Sequence, residues 1–236
     1  MIPLKDDTPR FSTPYVTYFL IALNTVIFLY ELLGFAPQAR NQFMFQFGMV
    51  PARITGLMSG AHHVSTGTAL LPILTSMFLH ASWLHLIGNM WVLWIFGDNI
   101  EDYLGHFPYI VFYLVCGLAA AVTHTLLNPG SVMPTVGASG AIAGIMGAYF
   151  VLYPRAKVLT LVPLIVIFTF WWLPAWIVLG YWFAIQFFSG AATAVAASSR
   201  TAGGIAFWAH VGGFVAGIVL IKLFPARVRR LRYGTW

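Results

Sequence analysis

Apolar residues run on in stretches too long for the core of a soluble domain, and turn-forming or charged residues divide them into six. Allowing about 20 residues for each crossing of a ~30 Å hydrocarbon layer, the runs fall near residues 16–34, 70–97, 107–127, 137–153, 174–190 and 204–224. The pattern predicts six membrane-spanning helices. Residues 158–173 are apolar as well, but joined to the run that follows they would make about 46 Å of helix, and Pro163 and Pro174 interrupt them. They are expected to form an interfacial or re-entrant connector. The first loop, residues 35–69, is long yet apolar, with Pro37, Pro51, Gly48, Gly56 and Gly60 among Phe43, Phe45 and Phe47. It is expected to lie in the membrane interface, and the small-residue stretch Ala191–Ser199 is expected to be a flexible loop.

Composition agrees with this class. The chain is 60% hydrophobic and 8% charged, against about 45–50% apolar and 25% charged in soluble domains. The expectation is an all-α polytopic membrane protein, a six-helix bundle forming one domain over residues 1–236, with a short tail at 1–14 and a basic tail at 225–236. The first run follows Lys5, Asp6, Asp7 and Arg10, exceeds a signal-peptide core and is followed by no small-residue cleavage site, so it reads as a retained span. Cys116 is the single cysteine and rules out a disulfide framework.

Charge sets the orientation. Six spans put Lys5, Arg10, Arg155, Lys157, Lys222, Arg227, Arg229, Arg230 and Arg232 on one side, and Arg40, Arg53 and Arg200 on the other. Both termini are therefore expected to be cytoplasmic. The formal charge of +6 comes largely from the run after the last span, which reads as an anchor to anionic lipid and not as a nucleic-acid surface.

Candidate chemistry lies inside the apolar runs. Ser139, in Gly137-Ala138-Ser139-Gly140, opens the fourth span, where free backbone N–H groups and the helix dipole favour developing negative charge. Gly140, Gly144 and Gly147 mark one face of that span and admit a close partner helix. On the sixth span His210, Gly213 and Gly217 share a stripe. If the two glycine faces meet, His210 reaches Ser139 as general base, and a nucleophile with its base is the minimum for covalent catalysis. No Asp or Glu lies at that depth, so the expectation is a dyad. His85 and Asn89, four apart on the second span, share a face and can donate to an oxyanion. His80, one turn nearer the surface, is expected to support the long first loop. Zinc is disfavoured, because no His-Glu-x-x-His is present. Asp98, Glu101 and Asp102 read as a solvated helix end with a structural capping role.

Three motifs in order, His85-x-x-x-Asn89, Gly137-Ala138-Ser139-Gly140 and Ala209-His210-x-x-Gly213-x-x-x-Gly217, resemble the rhomboid family of intramembrane serine proteases. The acidic stretch around Glu101 is similar too, and the likeness covers roughly residues 72–220. It implies a six-helix protease with Ser139 as nucleophile, His210 as base, and His85, Asn89 and the Ser139 N–H in the oxyanion hole. It implies no cofactor, membrane-spanning protein substrates that arrive laterally past the fifth span, and a bacterial cytoplasmic membrane. Two features depart from the family. Ala143 stands where many relatives carry an aromatic over the catalytic imidazole, leaving His210 to be oriented by Trp208 or an aromatic of the fifth span, and the Trp-Arg pair of the first loop is absent. The alternatives are an inactive rhomboid-like factor that binds membrane clients, whose relatives typically lack the Ser or the His, and a small transporter, which predicts inverted repeats that are not found.

Overall fold

The computed structural model describes residues 1–61, 64–164, 167–195 and 206–227. Arg200, Arg229, Arg230, Arg232, the stretch 196–199 and most of the basic tail lie outside them. Among the described residues, three helices are long and apolar enough to cross a membrane: α1 (Tyr15–Gly34), α6 (His106–Leu127) and the run Ala175–Ala194 of α8 (Ala175–Val195). A fourth span arises if α4 (Thr66–Thr75), its one-turn 3₁₀ extension Ser76–Phe78 and α5 (Trp83–Leu104) are taken together, although the pair is bent by 73°. Two shorter apolar helices complete the set, α7 (Ser139–Leu152) and α9 (Phe207–Leu220). The architecture is that of a mostly helical polytopic membrane protein, and the expected six helices are consistent with it.

The bend divides what the apolar pattern joined as a single span at 70–97. Ser82 is the reason: its hydroxyl accepts the backbone N–H of His85 at 3.2 Å and caps a new helix, offering the chain a start that competes with continuation. The first loop is also folded. Pro37 and Pro51 occupy the first turns of two short helices, α2 (Pro37–Phe47) and α3 (Pro51–Met58), where a missing N–H costs nothing.

The connector is a β-hairpin. Strands β2 (Lys157–Leu164) and β3 (Ile167–Pro174) pair antiparallel from Lys157↔Pro174 onward, and β1 (Ile2–Asp6) from the N-terminal tail pairs antiparallel on the other edge of β2. Prolines exclude helix here, while β-branched and aromatic residues favour strand. Polar bonds fasten β1 to the bundle: Trp91 Nε1 donates to the carbonyl of Pro3 at 2.7 Å, and the Tyr149 hydroxyl donates to Asp6 and meets the Thr8 hydroxyl at 2.6 Å.

α7 is the centre of the molecule. From Gly140 to Tyr149 every residue is buried, and α5, α6, α8 and α9 all pack on it. At 1.5 Å per residue it is about 21 Å long, shorter than a ~30 Å layer. Two of the acidic residues after the second span are not solvated, as the sequence suggested, but buried, Glu101 at 0% and Asp102 at 4% exposure, whereas Asp98 stays partly exposed beside Arg10. Glu101 accepts from the backbone N–H groups of Val16 and Thr17, the Thr17 hydroxyl and His106 Nδ1, at 2.9, 2.7, 2.7 and 2.6 Å. Pro14 supplies no side-chain cap to α1, so a carboxylate from another helix satisfies its orphan donors. Asp102 accepts from Phe11 N and Ser12 Oγ beside it.

Candidate functional site

The site is built where α7 and α9 touch backbone to backbone. A Cβ on Gly213 would lie 2.0 Å from the carbonyl oxygen of Gly140, and one on Gly217 1.9 Å from that of Gly144. Only glycine permits this approach. Gly140 and Gly144 serve a second neighbour too, since Cβ atoms there would meet Ala120 and Cys116 of α6 at 2.7 and 2.3 Å. The consequence of the first contact is chemical: Ser139, one residue before Gly140, and His210, three before Gly213, come within reach, with Oγ 2.8 Å from Nε2. His210 is 9% exposed and Ser139 partly buried.

Gly137 opens the other side of Ser139. Its φ of +125° suits only glycine, and a Cβ would fall 2.7 Å from the His85 imidazole and 3.6 Å from Asn89 Nδ2. The ring and the amide therefore flank the approach to Ser139, next to the first N–H groups of α7, which have no intrahelical acceptor. His80 is wholly buried in the bend before α5, with Nε2 3.0 Å from Asn89 Nδ2. That bond leaves the second amide hydrogen of Asn89 free.

The first loop reaches the site by two routes. Met49 and Thr135 exchange backbone hydrogen bonds of 3.0 and 2.7 Å, which docks the loop on the segment leading to Ser139. Arg40 of α2 donates to the carbonyls of His80 and Ala81 at 3.1 and 3.3 Å. A small cavity beside Ser139 is lined by Met49, Ser76, Met77, Gly117, Ala206 and Ala209 among others.

The bonds made by Gln186 and Arg40 were not expected from sequence, whereas an aromatic of the fifth span over His210 was. His210 is oriented from α8: Gln186 Oε1 lies 2.7 Å from Nδ1, and the Trp182 ring covers the imidazole at a centroid distance of 5.6 Å. Trp208 turns away to pack on Phe187. Ala143 is fully buried, 3.3 Å from where a Gly213 Cβ would stand, leaving no room for an aromatic. The only sequence signal for Gln186 was a lone amide in an apolar helix, and polar groups at such positions have partners. The signal for Arg40 was a cation in the first loop, which it shares with Arg53. Asp98, Glu101 and Asp102 stand apart, at the far end of α5.

The fold and this arrangement define a class, a helical membrane protein with a serine and a histidine paired between two buried helices. Comparison with known families makes it particular. The model of the Rhomboid domain matches residues 67–227, well over half of the chain, and the protein belongs to the rhomboid family. Curated relatives include Presenilin-associated rhomboid-like protein A, mitochondrial, of Danio rerio, 34% identical over 42% of this chain and 26% of that one. Rhomboid protein 1, mitochondrial, of Saccharomyces cerevisiae is 30% identical over 64% and 41% of the two chains. Presenilin-associated rhomboid-like protein, mitochondrial, of Bos taurus is 29% identical over 76% and 45%. The chain thus matches less than half the length of these relatives. Their names point to a mitochondrial membrane and overturn the bacterial cytoplasmic membrane expected from sequence, and with it the assignment of both termini to a cytoplasm.

Proposed function

We propose that this protein is an intramembrane serine endopeptidase that hydrolyses peptide bonds of membrane-spanning protein substrates. The observation that carries the reading is the 2.8 Å approach of Ser139 Oγ to His210 Nε2. In the proposed reaction Ser139 Oγ attacks the scissile carbonyl carbon while His210 Nε2 takes its proton. The negative oxygen of the tetrahedral intermediate is held by Asn89, His85 and the Ser139 backbone N–H. His80 anchors one hydrogen of the Asn89 amide so that the other points outward. The imidazolium returns its proton to the leaving amine, and water then hydrolyses the acyl-enzyme by the same route.

No metal or organic cofactor enters the scheme. Substrates are taken to arrive from the lipid past α8, and the exposed Lys222 and Arg227 to meet anionic lipid. The membrane is taken to be the mitochondrial one of the relatives. A client-binding factor without activity is the weaker reading, because such a protein has no need of an imidazole within hydrogen-bond distance of a hydroxyl.

The test is a fluorophosphonate probe together with a membrane-anchored reporter. Wild type is expected to label and to cleave, while Ser139→Ala and His210→Ala, expressed at the same level, do neither. Full cleavage by either variant overturns the dyad.

A further inference from the structure

We infer that Gln186 is a positioning residue for His210: its side-chain carbonyl accepts the Nδ1 proton and so holds the imidazole in the tautomer whose bare Nε2 faces Ser139. The kinetic consequence rests on the protease reading above, but the tautomer rests on geometry alone. A neutral imidazole carries one N–H. For the Ser139 hydroxyl to donate to Nε2, the proton must sit on Nδ1, and a buried N–H there needs an acceptor. Gln186 Oε1 provides it at 2.7 Å, on the opposite edge of the ring from the 2.8 Å contact with Ser139.

The rest of α8 supports this assignment. Gln186 is 8% exposed, between Ile185 and Phe187, and is the only amide side chain in Ala-Trp-Ile-Val-Leu-Gly-Tyr-Trp-Phe-Ala-Ile-Gln-Phe-Phe-Ser-Gly-Ala-Ala-Thr-Ala-Val. Trp182 lies four residues earlier, on the same face, and covers the His210 ring. One helix face thus supplies an acceptor for the edge of the ring and an aromatic for its flat side, the orientation that the missing aromatic at Ala143 cannot give. An amide does this without charge. The partner of a serine protease histidine is ordinarily a carboxylate, whose burial in apolar surroundings is costly. When Nε2 takes the Ser139 proton, the Nδ1 hydrogen bond persists and strengthens toward the imidazolium. With the amide reversed, Gln186 would donate to a bare Nδ1, the proton would move to Nε2, and Ser139 would face no base. The two arrangements are distinguishable.

The experiment uses the full chain labelled with ¹⁵N-histidine, as wild type, Gln186→Met (similar length, no acceptor) and Gln186→Glu (acceptor kept), with the His210 signals assigned from their loss in His210→Asn. The wild-type spectrum is expected to show Nδ1 protonated and Nε2 bare. Gln186→Met is expected to lose that bias and to lower kcat on the reporter on the order of 100-fold, the lower end of the range of general base catalysis, with KM and melting temperature little changed. Gln186→Glu is expected to keep the tautomer and recover most of kcat. A wild-type spectrum with Nε2 protonated, or Gln186→Met with unaltered spectrum and kcat, overturns the inference. A purely structural bond between α8 and α9 would instead lower the melting temperature and leave the tautomer alone, which also overturns it. Should Gln186→Met fail to fold, the wild-type and Gln186→Glu spectra decide the matter. If wild type neither labels nor cleaves, the protease reading falls, and the tautomer is still settled by the spectrum.

Discussion

Replacing Gly213 by alanine tests whether packing between α7 and α9 sets the chemistry. The new methyl carbon would stand 2.0 Å from the carbonyl oxygen of Gly140 and 3.0 Å from its carbon. Both are backbone atoms in the most buried helix of the protein, so no side chain can rotate out of the way. Ordinary contact begins near 3.4 Å, and the two helices must part locally by about 1.4 Å, an overpacking strain of about 1–3 kcal/mol. Gly213 lies one turn from His210, and Gly140 is next to Ser139. Much of that separation therefore reaches the 2.8 Å bond between them and stretches it to about 4 Å, past the limit of a hydrogen bond. A misplacement of about 1 Å at reacting atoms costs on the order of 100-fold in rate. The assay is the rate of fluorophosphonate labelling in micelles, scaled to folded protein by thermal melting, with reporter cleavage alongside. Gly67→Ala is the control, since a Cβ there meets nothing within 4 Å. Labelling of Gly213→Ala within about twofold of wild type would refute the reasoning and show that the pair does not depend on glycine contact between the helices.

Two further substitutions probe what surrounds the site. Glu101→Leu removes the acceptor for two backbone N–H groups of α1 and for the Thr17 hydroxyl. It is expected to destabilise the fold by about 2–4 kcal/mol, read as a lower melting temperature in micelles, while an unchanged melt would show that these donors find other partners. Arg40→Met keeps the apolar stem but frees the carbonyls of His80 and Ala81. Loosening the bend that carries His80 is expected to lower kcat about tenfold by releasing Asn89, and a kcat equal to wild type would separate the first loop from the site.

The meeting of Ser139 with His210 was legible because glycines at fixed spacing on two apolar helices state which faces touch, and one face carries Ser139 and the other His210 at a known offset. His85 and Asn89 were legible for the same reason, four residues apart on one helix. Gln186 was not. It lies 24 residues before His210 in sequence, and although a lone amide hints at the inward face of α8, nothing in the sequence states which residue of another helix it meets. The hairpin was hidden likewise: residues 158–173 lack the alternation that betrays a half-solvated strand, and only prolines with β-branched and aromatic residues marked it. Glu101 looked solvated because its partners, Val16 and Thr17, stand about 85 residues earlier in the chain. The compartment was never in the pattern, since a bias of Lys and Arg to one side distinguishes the faces of a membrane but not one membrane from another.

Helix α5 links these observations, because both its ends are tied by buried polar groups. At one end Asn89 is bonded to His80, whose carbonyl is bonded to Arg40. At the other Glu101 and Asp102 hold the start of α1 and the segment before it. Twelve residues of rise between Asn89 and Glu101 make about 18 Å, so the two networks are well separated along α5 and cannot exchange partners. Sliding α5 along its axis by one turn would break both sets of bonds, the Trp91–Pro3 bond between them and the packing against α1 and α7. Polar bonds at each end, together with the contacts along the length, fix the height at which His85 and Asn89 meet Ser139. Weakening the distant end by Glu101→Leu should thus disturb the site through the register of α5, although Glu101 touches none of its residues.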